Sequence, residues 1–394
     1  MLLIHRKRIA SCSFPALLAF AAAGCLDSGS TSHPLIDPGA HPGQPGAALD
    51  KGDYTILFQR ADSPAQAFAY GSLDGHAHDV RNVGFGFQDA AAMSPDGKQL
   101  AYPTFDGDPS DMLLALATLD APATSDVKIG GLHSFSTPSW SPDGKRVAFI
   151  SYVFDGGVIG RAAIFTVDAT AGATPTKIDL LAQQDGGGTV SHPSRCVAPV
   201  WSPDGTQLAY GTDTGISVYS FADSAVHPIV PAGSAAWTCE PRWSPDGKTI
   251  AYEAGKADGS AAIMKTSSAG CTPTEIAPLT GAAGAGDLRW SPDGASIAFT
   301  DTASSGYAVR TVALAGGAPA TIDTVETGNR LGPPEWSPDG SAILYRAFDD
   351  QAHAAHLVLV AAAGGAREVL PLQPNSQSYY AWLPAPIPAS SCGN

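Results

Sequence analysis

The tetrapeptide Ser-Pro-Asp-Gly occurs six times, starting at Ser94, Ser141, Ser202, Ser244, Ser291 and Ser337. Successive copies start 42 to 61 residues apart. Trp140, Trp201, Trp243, Trp290 and Trp336 stand directly before five of them, and Met93 before the first. One tetrapeptide at near-constant spacing marks a chain built from one supersecondary unit used repeatedly. The residue types suit a tight turn. Pro sets φ at the second position of a type I turn, Asp folds its carboxylate back onto the backbone, and Gly takes the positive φ that closes a hairpin.

A short alternating apolar run follows every turn: residues 99–102, 146–149, 207–210, 249–252, 296–299 and 342–345. Each reads as a strand. A third strand follows, as at 163–167, 216–219 and 357–360, and a weaker fourth, as at 176–178 and 367–369. Four short antiparallel strands in about 45 residues is the pattern of one propeller blade. Two incomplete units flank the six. Residues 53–60, 67–70 and 78–80 supply three strands without an innermost one, and residues 378–384 supply a lone strand in which Trp382 takes the place of the repeat Trp. Together they make one composite blade. The expectation is therefore an all-β, seven-bladed β-propeller over residues 53–384, closed by its C-terminal strand, with a tail at 385–394.

With Trp-Ser-Pro-Asp-Gly followed by an Ile-Ala-Tyr-like strand, the units resemble the WD40-like (PD40) repeat of TolB and related periplasmic propellers. The resemblance covers nearly the whole chain after residue 52. It implies the fold and little about activity, because propellers host many functions. TolB resembles a six-bladed ring behind a separate N-terminal α/β domain. Here only a Pro- and Gly-rich stretch precedes Lys51, a departure that weighs against a role in the Tol machinery.

Residues 1–24 read as a secretory leader. Arg6, Lys7 and Arg8 precede an apolar stretch, and small residues Ala22, Ala23 and Gly24 precede Cys25. That ending resembles the lipobox of bacterial lipoproteins, with Ala22 where Leu is usual, and implies lipidation of Cys25. The alternative is an ordinary signal peptide cut nearby. Residues 25–52, rich in Ser, Gly and Pro, form a tether. The expected location is the bacterial cell envelope: lipid-anchored at the outer membrane, on its periplasmic side or at the cell surface. The formal charge of −15 offers no basic stripe, so nucleic acid is not an expected partner. No stretch after residue 25 is long and apolar enough to span a bilayer, so the membrane is met through the anchor alone. A monomer is expected.

Four cysteines remain after the leader and Cys25. An even number in an exported chain points to disulfides. Cys196 and Cys239 precede the repeat Trp of neighbouring blades, which pairs Cys196 with Cys239. Cys271 and Cys392 fall on the opposite face, which pairs Cys271 with Cys392. Free thiols are the alternative.

No Gly-x-Ser-x-Gly elbow, His-Glu-x-x-His helix, phosphate loop or Cys-x-x-Cys pair is present. No cofactor, metal or catalytic residue is assigned. Asp106, Asp108 and Asp111 form an acidic loop without EF-hand spacing. The Asp of the turn recurs six times and is structural. Candidate binding residues are the irregular charged and His side chains placed just before innermost strands: His133, His192, Arg195, Glu240, Arg242, Arg289, Arg330 and Glu335, with Asp287 beside them. They form either a polar surface at the channel mouth or a solvated rim with inter-blade ion pairs. His353 and His356 are placed between second and third strands, on the same face. Two functions follow. One is an envelope-tethered scaffold that binds a protein or peptide. The alternative is a propeller enzyme, a metal-dependent polysaccharide lyase or a hydrolase, working at the channel mouth.

Overall fold

Each Ser-Pro-Asp-Gly turn is held by the same bonds. In the copy at Ser291, the Ser hydroxyl donates to Asp293 Oδ1 (2.6 Å) and accepts from the Ser296 amide (2.9 Å), while Asp293 Oδ1 also accepts from the Ala295 amide (3.0 Å). The other five turns repeat this arrangement. The glycines all take positive φ, from 67° to 74°. The turns also stack around the ring. A Cβ on Gly144, Gly205, Gly247, Gly294 or Gly340 would stand 3.4–3.9 Å from the Pro of the preceding turn.

The computed structural model describes residues 55–60, 68–81, 91–105, 112–119, 126–132, 138–155, 158–181, 198–212, 215–231, 233–270, 272–280, 287–303, 306–326, 329–372, 374 and 380–383. All lie within the unit Leu35–Asn394. They form seven antiparallel sheets and, among the described residues, no helix. Blades 2 to 7 follow chain order. Their innermost strands are Ala92–Met93, Ser139–Trp140, Val200–Trp201, Trp237–Trp243, Arg289–Trp290 and Glu335–Trp336. Blade 1 is composite as expected: Tyr380–Trp382 pairs with Thr55–Gln59 in the register Ile56 with Trp382, Leu57 with Ala381 and Phe58 with Tyr380. The leader, Cys25, the tether and the tail at 385–394 lie outside the described residues, as do Asp106, Asp108 and Asp111.

The core lies in layers between neighbouring blades. Ile56, Phe58, Tyr380 and Trp382 of blade 1 pack on Leu344, Leu357 and Leu359 of blade 7. Ala298, Val309 and Ile322 of blade 6 pack on Ile343, Tyr345 and Val358 of blade 7. The repeat Trp residues stitch these layers. Each indole donates to the carbonyl of the residue just before the equivalent position of the preceding blade: Trp140 to Ala92 (2.9 Å), Trp201 to Ser139 (3.0 Å), Trp243 to Val200 (3.1 Å), Trp290 to Arg242 (3.0 Å), Trp336 to Arg289 (3.1 Å) and Trp382 to Glu335 (3.2 Å). Met93 breaks the series, because a thioether has no N–H to offer blade 1.

Two details differ from the expected pattern. Blade 7 has five strands: its innermost strand is split into Asn329–Leu331 and Glu335–Trp336, both paired with Ala342–Asp349. Pro333 and Pro334 fall in the gap and have no amide hydrogen for the ladder. His356 lies inside the third strand Ala354–Ala361, opposite Ala347, and only His353, at φ 52°, precedes it. Burial holds the His356 imidazole below its ordinary value, against the pull of Asp349.

Candidate binding site on the inner wall

The residue before the repeat Trp is half-buried in every blade, which places a ring of seven equivalent side chains on the inner strands. Blades 1 to 4 put Ala381, Ala92, Ser139 and Val200 there; blades 5 to 7 put Arg242, Arg289 and Glu335. The inner wall is thus apolar or small on one arc and charged on the other. The backbone of the charged arc is pinned, since the Arg242, Arg289 and Glu335 carbonyls accept indole hydrogens from the next blade.

The arc is one connected network. Arg289 Nε donates to Glu335 Oε1 (2.8 Å), and its Nη1 donates to the Leu288 carbonyl (3.0 Å). Arg242 Nε donates to the same Leu288 carbonyl (3.3 Å) and its Nη1 to the Pro241 carbonyl (3.3 Å). Arg242 also lies 3.5 Å from Glu240. The Glu240 carboxylate accepts the Asp287 amide of blade 6 (2.9 Å). Glu240 and Asp287 are equivalent residues, three before their repeat Trp. They are 3% and 7% exposed and have φ of 51° and 70°. Left-handed backbone is uncommon for non-Gly residues and concentrates where a fold over-determines a local geometry.

Neutralisation within the network is uneven. Burial pulls Arg242 below its ordinary value; Glu240 opposes this and the neighbouring Arg289 charge adds to it. Burial acts against Arg289 too, but the carboxylates of Glu335, Asp287 and Glu240 outweigh it and raise that group. The same three carboxylates, Glu240, Asp287 and Glu335, also pull Arg242 upward, and there burial outweighs them. Beside the arc, the Tyr380 hydroxyl donates to the Pro333 carbonyl and receives the Arg346 amide, and burial raises its pKa. Trp237 fills the space a side chain on Gly255 would take: a Cβ there would collide with its indole nitrogen.

Of the residues singled out in the sequence, Glu240, Arg242, Arg289 and Glu335 come together, with Asp287. Arg330 does not join them: it pairs with Asp350 (2.7 Å) and sits over the Phe348 ring, with its side chain 54% exposed. His133, His192 and Arg195 lie outside the described residues. Cys239 is buried and disulfide-bonded. Its expected partner Cys196, and the expected pair of Cys271 with Cys392, lie outside the described residues. Tyr380, Trp237 and the Leu288 carbonyl escape sequence reasoning, because nothing in their local pattern marks them. Among the described residues no group of three or more His, Cys, Asp and Glu side chains is placed to hold a metal ion.

Seven blades around a ring, closed by pairing the first described strand with the last, define a seven-bladed β-propeller. The model of the TolB beta propeller domain matches residues 177–386, more than half of the chain, and the chain belongs to that family. No curated protein matches it by sequence. Three solved structures are similar in fold. A putative 6-phosphogluconolactonase from Bacteroides uniformis is 15% identical, with 83% of this chain and 99% of that one covered at a TM-score of 0.57. An oligogalacturonate lyase from Vibrio parahaemolyticus is 12% identical, with 77% and 85% covered at 0.57. The periplasmic gluconolactonase of Pseudomonas aeruginosa is 17% identical, with 84% and 99% covered at 0.53.

Proposed function

We propose that this chain is a cell-envelope propeller, lipid-anchored through Cys25, that binds a protein or peptide partner at the charged arc of its inner wall. It acts as a monomer and meets the membrane through its anchor. One observation carries this reading: three consecutive blades place Arg242, Arg289 and Glu335 where the other four place Ala, Ser or Val. Charges needed only for ring stability have no reason to collect on one side. Glu240, Arg242, Arg289 and Glu335 are the binding residues. Arg330 is left out because Asp350 and Phe348 already engage it.

The test is crosslinking and pull-down from the native envelope with the lipidated protein. One envelope protein should be captured, and capture should fall at least tenfold with Arg289→Gln and with Glu335→Gln. A Cys25→Ser variant should leave the membrane fraction. Capture that ignores both charge variants overturns the reading. So does a metal that survives purification together with an activity lost on His133→Ala or His192→Ala, which would install a metal-dependent enzyme instead.

A further inference from the structure

We propose that the guanidinium groups of Arg242 and Arg289, gathered on the Leu288 carbonyl, form a subsite for one carboxylate group of the ligand. This deepens the binding function proposed above and rests on it.

Three observations converge. First, the two side chains share an acceptor: Arg242 Nε and Arg289 Nη1 both donate to Leu288 O, at 3.3 and 3.0 Å. Two like charges are thus held side by side, although they repel. Glu335 and Glu240 each offset one of these charges from the side; an anion set between the two guanidiniums would bridge both. Second, donors remain. A guanidinium carries five N–H groups. Arg242 commits Nε and Nη1 to carbonyls, and Arg289 commits Nε and Nη1 to Glu335 and Leu288. Nη2 of Arg289 has no protein acceptor among the described residues. Nη2 of Arg242 has only Glu240, at 3.5 Å, and that carboxylate already accepts the Asp287 amide. Third, the groups are about a quarter exposed, at 23% and 25%. They are shielded enough for a charge-assisted bond to matter and open enough for a ligand to reach.

The geometry also selects the ligand chemistry. With one free Nη2 on each arginine, the pair can offer one donor to each oxygen of a planar carboxylate. Glu240, Asp287 and Glu335 act on both arginines, so a doubly charged phosphate would meet more repulsion here than a singly charged carboxylate. The remaining ring positions, Ala381, Ala92, Ser139 and Val200, are neutral and would accept the uncharged body of the ligand. A carboxylate can come from an acidic side chain or from a chain terminus, and the experiment separates the two.

The protein labelled with ¹⁵N is titrated with three capped tripeptides while the Arg Nε–H resonances are followed. The first is acetyl-Gly-Glu-Gly-amide, the second acetyl-Gly-Gly-Gly with a free carboxyl end, and the third the neutral acetyl-Gly-Gln-Gly-amide. The expected result is a saturable shift of the Arg242 and Arg289 signals with at least one carboxylate peptide and none with the neutral one. Response to the first alone assigns a side-chain carboxylate; response to the second alone assigns a terminal one. Arg242→Gln and Arg289→Gln should each weaken binding at least tenfold, while Lys177→Gln on the outer strand of blade 3 should not. A thermal melt of each variant checks the fold. For a variant that does not fold, Arg→Lys at the same position serves, since it keeps the charge and loses the fork. Equal response to the Glu and Gln peptides, or binding indifferent to both arginines, overturns the proposal. Failure here with envelope capture intact removes only the carboxylate subsite. Carboxylate binding without any captured partner removes only the scaffold.

Discussion

At the scale of single residues, the turn carboxylates and the repeat indoles carry most of what can be measured. The Ser291 hydroxyl and the Ala295 amide on Asp293 hold its carboxyl below the ordinary value, and the same contacts act on Asp143, Asp204 and Asp246. At Asp96 burial works the other way and the hydrogen bonds still win. A carboxylate with a depressed pKa in the folded state stabilises that state above its unfolded value, about 3.9, and loses this as pH falls through the folded value. Urea midpoints should therefore drop most steeply below about pH 4, and Asp293→Asn should soften that drop only in part, because other turns share it. Gly294 has a φ of 70° and ordinary room beside Pro245. Gly294→Ala should cost about 1–2 kcal/mol through backbone strain alone. Trp290→Phe keeps an aromatic ring but loses the pyrrole half of the indole and the hydrogen that the Arg242 carbonyl accepts. It should cost about 1–2 kcal/mol, read as a lower urea midpoint at constant slope.

At the scale of elements, the decisive strand is Tyr380–Trp382. It supplies the innermost strand of blade 1, a donor to the Glu335 carbonyl and buried surface against blade 7. Trp382→Ala should cost about 3–5 kcal/mol. Ending the chain after Ser378 should do more, since it bares the edge of Thr55–Gln59, and exposed edges pair with other chains. Light scattering after gel filtration should then show larger species than the intact chain gives; an unchanged mass with an unchanged melt would contradict the closure mechanism. This pairing was legible because the two end segments are complementary fragments of one repeat. The split innermost strand of blade 7 was less so: nothing in the repeat pattern marks Asn329–Leu331 as a second segment paired with the same partner. His356 precedes the apolar run at 357–360 that marks the strand in the sequence, but the strand begins earlier, at Ala354.

At the scale of the whole molecule, six indole bonds link seven blades, and the missing one lies between blades 1 and 2, where Met93 stands. Blade 1, on one side of this junction, is also the blade assembled from the first and last described strands. Hydrogen exchange should therefore be fastest, among the inner strands, at Ala92–Met93 and Tyr380–Trp382; equal protection all round the ring would contradict this. The sequence by itself determined the fold, the number of blades and the place of closure, because these depend on local turn chemistry repeated at a constant period. It also flagged Glu240, Arg242, Arg289 and Glu335 by position. Only the tertiary structure decided that those four, with Asp287, form one network, that Arg330 turns to Asp350 instead, and that two guanidiniums converge on the Leu288 carbonyl. The reason is physical: equivalent positions in successive blades lie 42 to 61 residues apart in the chain. They become neighbours only when successive blades pack against one another.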